Sequence, residues 1–152
     1  MRYSRVDERT YIVRLEKGEE IITALQDFAG KEQISNAQVE GIGSVENPTL
    51  AHYRVDSKKY SEKQIDGIFE ITSLPGNIGL FEHKPVIHAH VTIGNEHMQL
   101  YGGHLVKGVV SATAELIITV YPTKLEKLYD EAIGLNLWNL PQDMKGEAQR
   151  SI

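Results

Sequence analysis

Between residues 85 and 105 the chain alternates in a way that only an extended backbone can use: Ile87, Ala89 and Val91 interleave with His88 and His90. Side chains two apart leave a strand on the same face, so both imidazoles share one face and the apolar residues take the other. Gly94-Asn95 follows, a pair that tolerates positive φ and favours a tight reversal. A second apolar run then carries His104 directly after Gly102-Gly103. The pattern predicts an antiparallel hairpin bearing three histidines, and with His97 the stretch holds four of the six in the chain.

Register decides whether His88, His90 and His104 meet. If Gly94 pairs with Met98, His104 stands opposite His88 with Cβ atoms about 5 Å apart. A two-residue turn shifts the pairing by one and sends His104 to the other face, unless Gly102-Gly103 forms a bulge that turns it back. Where the three converge, a strand-borne His-x-His plus a third histidine from the neighbouring strand suits Zn²⁺ or another borderline divalent ion, with a fourth position left for water or substrate. The alternative is a half-solvated strand face on which polar imidazoles are tolerated.

The chain has 152 residues, 41% of them apolar, enough for one well-buried domain, expected over residues 1–140 with a polar, mobile tail over 141–152. Cysteine is absent, so any metal must rest on imidazole and carboxylate. The first residues lack the apolar core of a signal peptide, and no apolar run approaches the length that crosses a bilayer, which together predict a soluble cytoplasmic protein without membrane contact. Sixteen Lys and Arg against 21 Asp and Glu give a net charge of −5, the wrong sign for a domain that neutralises phosphates. The densest basic group is Lys58, Lys59 and Lys63.

Elsewhere the patterning predicts a strand over 11–15, a turn at 16–18, and a helix over 19–29 with Glu19 and Glu20 in its first turn and Gly30 as its cap. Residues 38–45 read as a strand in which Gly41 and Gly43 mark a bulge or a close backbone approach, with Glu40 and Ser44 beside them as a structural pair or a substrate contact. Further strands are expected over 50–55, 65–74 and 78–82, with a loop or edge hairpin over 56–62 and a turn at Pro75-Gly76-Asn77. The longest β-branched run, 109–121, contains Glu115. A carboxylate there faces solvent, pairs with a cation, or serves the histidine site as a supporting group or general base. Thr123 and Glu126 form a capping box, and Leu125, Leu128, Tyr129, Ala132 and Ile133 complete the stripe of a second main helix ending at Gly134. Leu135, Leu137, Trp138 and Leu140 add apolar surface. His52, His83 and His97 read as packed or solvated residues. The fold class is therefore α+β: one domain, mostly antiparallel β-sheet, with two main helices.

The residues around the hairpin also carry a resemblance. His88-Ala-His90, Gly102-Gly103-His104-Leu105, Gly108 and Ala112-Thr-Ala-Glu115 resemble the signature of the plants-and-prokaryotes conserved (PPC) domain family. Gly41-Ile-Gly-Ser44 is similar to its early glycine motif, and Gly67-Ile-Phe-Glu-Ile-Thr72 to the hexapeptide of its plant members, with Ile68 where those have arginine. The resemblance implies an α+β fold with a large antiparallel sheet, assembled as a homotrimer, and DNA as a partner in name, since stand-alone prokaryotic members carry DNA-binding labels. An apolar surplus near Trp138 and on several strands agrees with self-association.

Three functions follow. In the first, His88, His90 and His104 hold a metal, Zn²⁺ foremost, in a small-molecule site. A water on such an ion has its pKa lowered toward about 7. In the second, the protein is a DNA-associated regulatory or assembly protein without catalysis. In the third, His88-x-His90 and Glu96 imitate the first motif of cupin-like dioxygenases and isomerases, but Glu96 is at least one residue too far and Glu82 replaces the expected glycine.

Overall fold

The computed structural model describes residues 1–141. Its elements, in chain order, are β1 (Arg2–Arg5), β2 (Thr10–Glu16), α1 (Ile21–Lys31), β3 (Ala37–Arg54), β4 (Lys59–Gln64), β5 (Ile68–Ser73), β6 (Gly76–Phe81), β7 (Lys84–Gly94), β8 (Leu100–Val120), β9 (Lys127–Asp130) and β10 (Leu135–Trp138). All pairings between these strands are antiparallel. No helix among the described residues is long and apolar enough to cross a membrane. The tail predicted from residue 141 lies, from 142 onward, outside the described residues.

Two long strands organise the large sheet. β3 pairs with β8 from Ala37↔Val120 to Ala51↔His104. β5 joins the other side of β3, β7 joins β5, and β8 returns to pair with β7, so these four strands close a ring. β6 bridges β3 and β7, β4 extends β3, and β2 and then β1 extend β8. Closure removes free edges from these four strands, while β1 and β4, each paired on one side only, remain at the margins of the sheet.

Glycines let the two long strands lie together. A Cβ at Gly41 would stand 2.1 Å from Leu116 Cδ2, and one at Gly43 would stand 2.4 Å from the Thr113 carbonyl. Gly43 also begins a register shift, so the sequence signal reported both a close approach and a bulge. Ser44 serves structure here: it is buried, and its hydroxyl accepts a 3.1 Å hydrogen bond from the Ala112 amide. The separate strands predicted over 38–45 and 50–55 are one strand, because the irregularity at Glu46–Leu50 bends β3 without ending it.

Helix α1 buries Ile21, Leu25, Phe28 and Ala29 and packs on β7 and β8. Phe28 meets Tyr3 and Tyr11 edge-on at centroid distances of 4.9 and 5.3 Å. Its cap differs from expectation at both ends. Gly30 lies inside the helix, and the left-handed residue that follows is Gln33 (φ 55°). Glu20 is the N-cap: its carboxylate accepts from the amides of Ile22 and Thr23 and, across to β8, from that of Gly108 at 3.1 Å.

The second main helix does not exist; α1 is the one α-helix among the described residues. Thr123 accepts from the Asn36 side chain instead of capping. The Leu125 amide donates to the Ser35 carbonyl, and the Leu125 carbonyl accepts from the Leu80 amide at 2.7 Å. With those groups committed to distant partners the capping signal is overridden, and the segment becomes the β9–β10 hairpin, turning at Gly134 (φ 81°).

Burial pushes the Glu20 carboxyl up, but hydrogen bonds from Thr23, Gly108 and Ile22 outweigh it and hold the pKa below the ordinary carboxylate value of 4.5. A depressed carboxylate stabilises above its unfolded pKa and loses that contribution as pH falls through the folded one. Glu20→Ala should cost about 1–2 kcal/mol by urea denaturation at pH 7, and the gap to the parent should close below about pH 4. Equal midpoints at pH 7 would exclude the cap.

Candidate metal centre

The face of β7 away from the core carries the site. Ala89, Val91 and Ile93 are buried, and His88 and His90 leave the opposite face, as the alternation requires. The hairpin register is neither of those expected. Gly94 pairs with Leu100, and His104 stands directly opposite His90, with His88 on the diagonal. The reversal is a longer loop, 95–99, because Asn95 organises it: its side-chain oxygen accepts from the amides of His97 and Gln99, each at 3.0 Å, and Met98 takes the positive φ. Gly102-Gly103 forms no bulge, and the ladder runs unbroken from Gly94 to His90. The pairing keeps the parity that brings all three imidazoles together.

Ring centroids are 5.3 Å apart for His88–His90, 5.3 Å for His88–His104 and 5.6 Å for His90–His104. One nitrogen from each lies within 4.8 Å of the others, so the trio can hold a metal ion. Imidazoles bound at about 2.0–2.1 Å in a tetrahedral set have centroids about 5 Å apart, so small ring rotations suffice. His104 Nδ1 is fully buried and has no hydrogen-bond partner among the described residues. A buried ring nitrogen without a partner is costly unless something completes it.

The cluster opens on a cleft of about 650 Å³ lined by Tyr60, Asn77, Val86, Ile87, His88, His104, Lys127 and the β10 residues 135–138. Tyr60 lies over His104 with centroids 5.1 Å apart and planes at 30°. Lys127 is 6% exposed, and burial pulls its pKa down. Although His88 as a residue remains exposed, its ring lines the cleft. Desolvation there pushes its pKa down to about 4, with Lys127, His104 and His90 acting in the same direction. His104 is lowered as well, again mainly by burial, against a small opposing pull from Glu62. Imidazoles kept neutral are imidazoles ready to donate to a metal.

Glu115 is not in this cluster. It lies on the exposed face of β8, opposite Arg14 of β2 and Ile42 of β3, about 35 Å of extended chain from His104. His83 and His97 sit in turns with their side chains 90% and 74% exposed. Lys127 escaped the sequence reading because it was placed on a helix, and no local signal marks a lysine whose burial comes from the packing of β9 on β6.

The Plants and Prokaryotes Conserved domain model matches residues 2–122. Among curated proteins none matches the chain significantly. Solved structures do. A plant- and prokaryote-conserved protein of Pyrococcus horikoshii is 36% identical, with 93% of this chain and 96% of that one aligned and a TM-score of 0.83. A candidate DNA-binding protein of Bacteroides thetaiotaomicron is 27% identical over 91% of this chain and 96% of that one, with a TM-score of 0.87. A metal-containing protein of Archaeoglobus fulgidus is 28% identical over 91% and 98%, with a TM-score of 0.80.

Proposed function

Since the chain belongs to the Plants and Prokaryotes Conserved domain family, we propose that it is a metal-binding member in which His88, His90 and His104 hold one borderline divalent ion, Zn²⁺ foremost, at the mouth of a small-molecule cleft. The observation that carries this reading is the convergence of three imidazoles from two strands, one of them with a buried, unpartnered Nδ1. The metal-containing description of the Archaeoglobus neighbour supports it. Such an ion supplies Lewis acidity toward a ligand oxygen. The chain's own residues position it through the β7–β8 ladder, shield one side with Tyr60, and disfavour protonation of His88 and His104. Glu115 takes no part in this site within one chain.

Self-association belongs to the same reading. Ile12, Ile42 and Ile117 are all exposed and stand on neighbouring strands β2, β3 and β8, interleaved with Arg14, Glu40 and Glu115. An apolar patch with both charge signs suits a repeated contact between copies, and the family resemblance favours three. The DNA-binding description of the Bacteroides neighbour favours a second reading, a DNA-associated regulatory protein. Charge opposes it: the net charge is −5, and of the Lys58, Lys59 and Lys63 group, Lys58 is engaged with the Glu131 carbonyl at 2.6 Å.

Titration of tag-free protein with Zn²⁺, Co²⁺, Ni²⁺ and Mg²⁺ should give about one site per chain that rejects Mg²⁺. Removing an outer partner of a ligand costs about 10–100-fold in affinity, so His88→Ala, His90→Ala or His104→Ala should each lose more than that, while His83→Ala and His97→Ala retain the parent affinity. Protonated imidazole cannot donate, so affinity should fall as pH drops from imidazole's ordinary range, about 6.5, toward the value of about 4 at His88. Unchanged affinity in His104→Ala would reduce the trio to a solvated strand face.

Light scattering at micromolar concentration should report about three chain masses, and Ile117→Lys a smaller assembly. A monomeric parent protein would remove the trimer. Fluorescence anisotropy with labelled duplex DNA should show weak binding with a shallow slope of log affinity on log salt, as few phosphate contacts dictate. Tight, sequence-selective binding at physiological salt would restore the DNA reading.

A further inference from the structure

Lys127 is a cation with nowhere to put its charge. It is 6% exposed, and no carboxylate among the described residues forms an ion pair with it. A lysine drawn largely out of water without a counter-ion is destabilised in its charged form. Its titratable neighbours in the lining of the cleft are His88, His104 and Tyr60, and none of them is a carboxylate. The packing nonetheless holds the side chain there: its Cε runs over Gly79, where a Cβ would stand 3.5 Å from it and 3.0 Å from the Leu125 carbonyl.

Beside Tyr60, Asn77 and Asn136, the rest of the cleft is apolar. Val86 and Ile87 of β7 form one side, and Leu135, Leu137 and Trp138 of β10 form the other. A volume of about 650 Å³ lies within the range of sites that enclose a small organic molecule. Lys127 and the β10 wall come from the hairpin that follows the family-matched residues 2–122. The histidines and the lysine thus reach the cleft from different parts of the chain.

We propose that this cleft binds a small organic carboxylate carried on a short apolar or aromatic body, with Lys127 as its counter-ion and Leu135, Leu137 and Trp138 against its apolar part. The inference deepens the reading of the cleft as the functional site by naming the ligand class, and it rests on that reading for the site's location. The contact to Lys127 needs no metal. An anion seated there relieves the buried charge, which a neutral ligand of the same shape does not.

Trp138 is the only tryptophan of the chain and lines the cleft, so its fluorescence reports occupancy directly. The probes are benzoate and its neutral counterpart benzamide, each titrated into Zn²⁺-loaded and chelator-treated protein. Benzoate should bind about tenfold or more tightly than benzamide, the discrimination expected of one hydrogen bond to a charged group. Lys127→Met should abolish that preference, and Lys127→Arg should keep most of it. Circular dichroism checks that both variants fold, and the benzoate–benzamide contrast in the parent protein requires no variant. Equal affinities for the two probes, no saturable response to millimolar benzoate, or an undiminished preference in Lys127→Met would each overturn the inference. A benzoate preference in a parent protein that takes up no metal in the titration would sink the metal centre alone, whereas metal binding without a benzoate preference would sink the anion site alone.

Discussion

The antiparallel ladder between β3 and β8 is what every other strand of the large sheet hangs from. β2 attaches to β8, β4, β5 and β6 attach to β3, and β7 closes the ring between β5 and β8. Such a ladder is possible only where the two backbones approach without side chains between them, which Gly41 and Gly43 allow. Its irregularities bend the strands far enough for a hydrogen-bonded ring. The same ladder carries His104 to Ala51 at one end, and β4 beyond it brings Tyr60 over the ring. The site is therefore a product of the sheet's closure.

How much of this the sequence discloses depends on how local each determinant is. Alternation placed His88 and His90 on one face because a strand's period is a property of a few consecutive residues. The register of the hairpin was harder. Gly94-Asn95 looks like a two-residue turn, but Asn95 satisfies two amides of a longer loop, and nothing in composition separates those outcomes. The convergence survived because a shift of two residues preserves parity. The second helix failed for the opposite reason. Its capping box and apolar stripe are sound local signals, yet Ser35 and Leu80 claim the backbone of Leu125, and such contacts are invisible until the sheet has formed. Lys127 went unnoticed along with it.

The site sets two kinds of side chain against each other. Three imidazoles are held close together, protonation is unfavourable at His88 and His104, and a buried lysine lies within electrostatic reach of those two. Proteins seldom keep such repulsion without a use for it, since replacing a buried charge by an apolar residue is commonly neutral or stabilising. Strained or unpaired groups concentrate where ligands bind. Among the described residues, two of the three buried side-chain atoms without a hydrogen-bond partner, His104 Nδ1 and Asn77 Oδ1, belong to residues lining one cleft, which Lys127 also lines; the third, Ser111 Oγ, lies elsewhere.

Two side chains fasten the walls of that cleft to each other: the Tyr53 hydroxyl donates to the Ile133 carbonyl at 2.6 Å, and Lys58 Nζ donates to the Glu131 carbonyl at the same distance. Both bonds are exposed, and both join the β3–β4 hairpin to the turn of the β9–β10 hairpin. Exposed bonds of this kind break at little free-energy cost compared with a core ladder. The two hairpins thus form a small cooperative unit whose amides should exchange with solvent together and well before those of β3 and β8. How firmly the two walls of the cleft are held together is thus set by two side chains that do not line it.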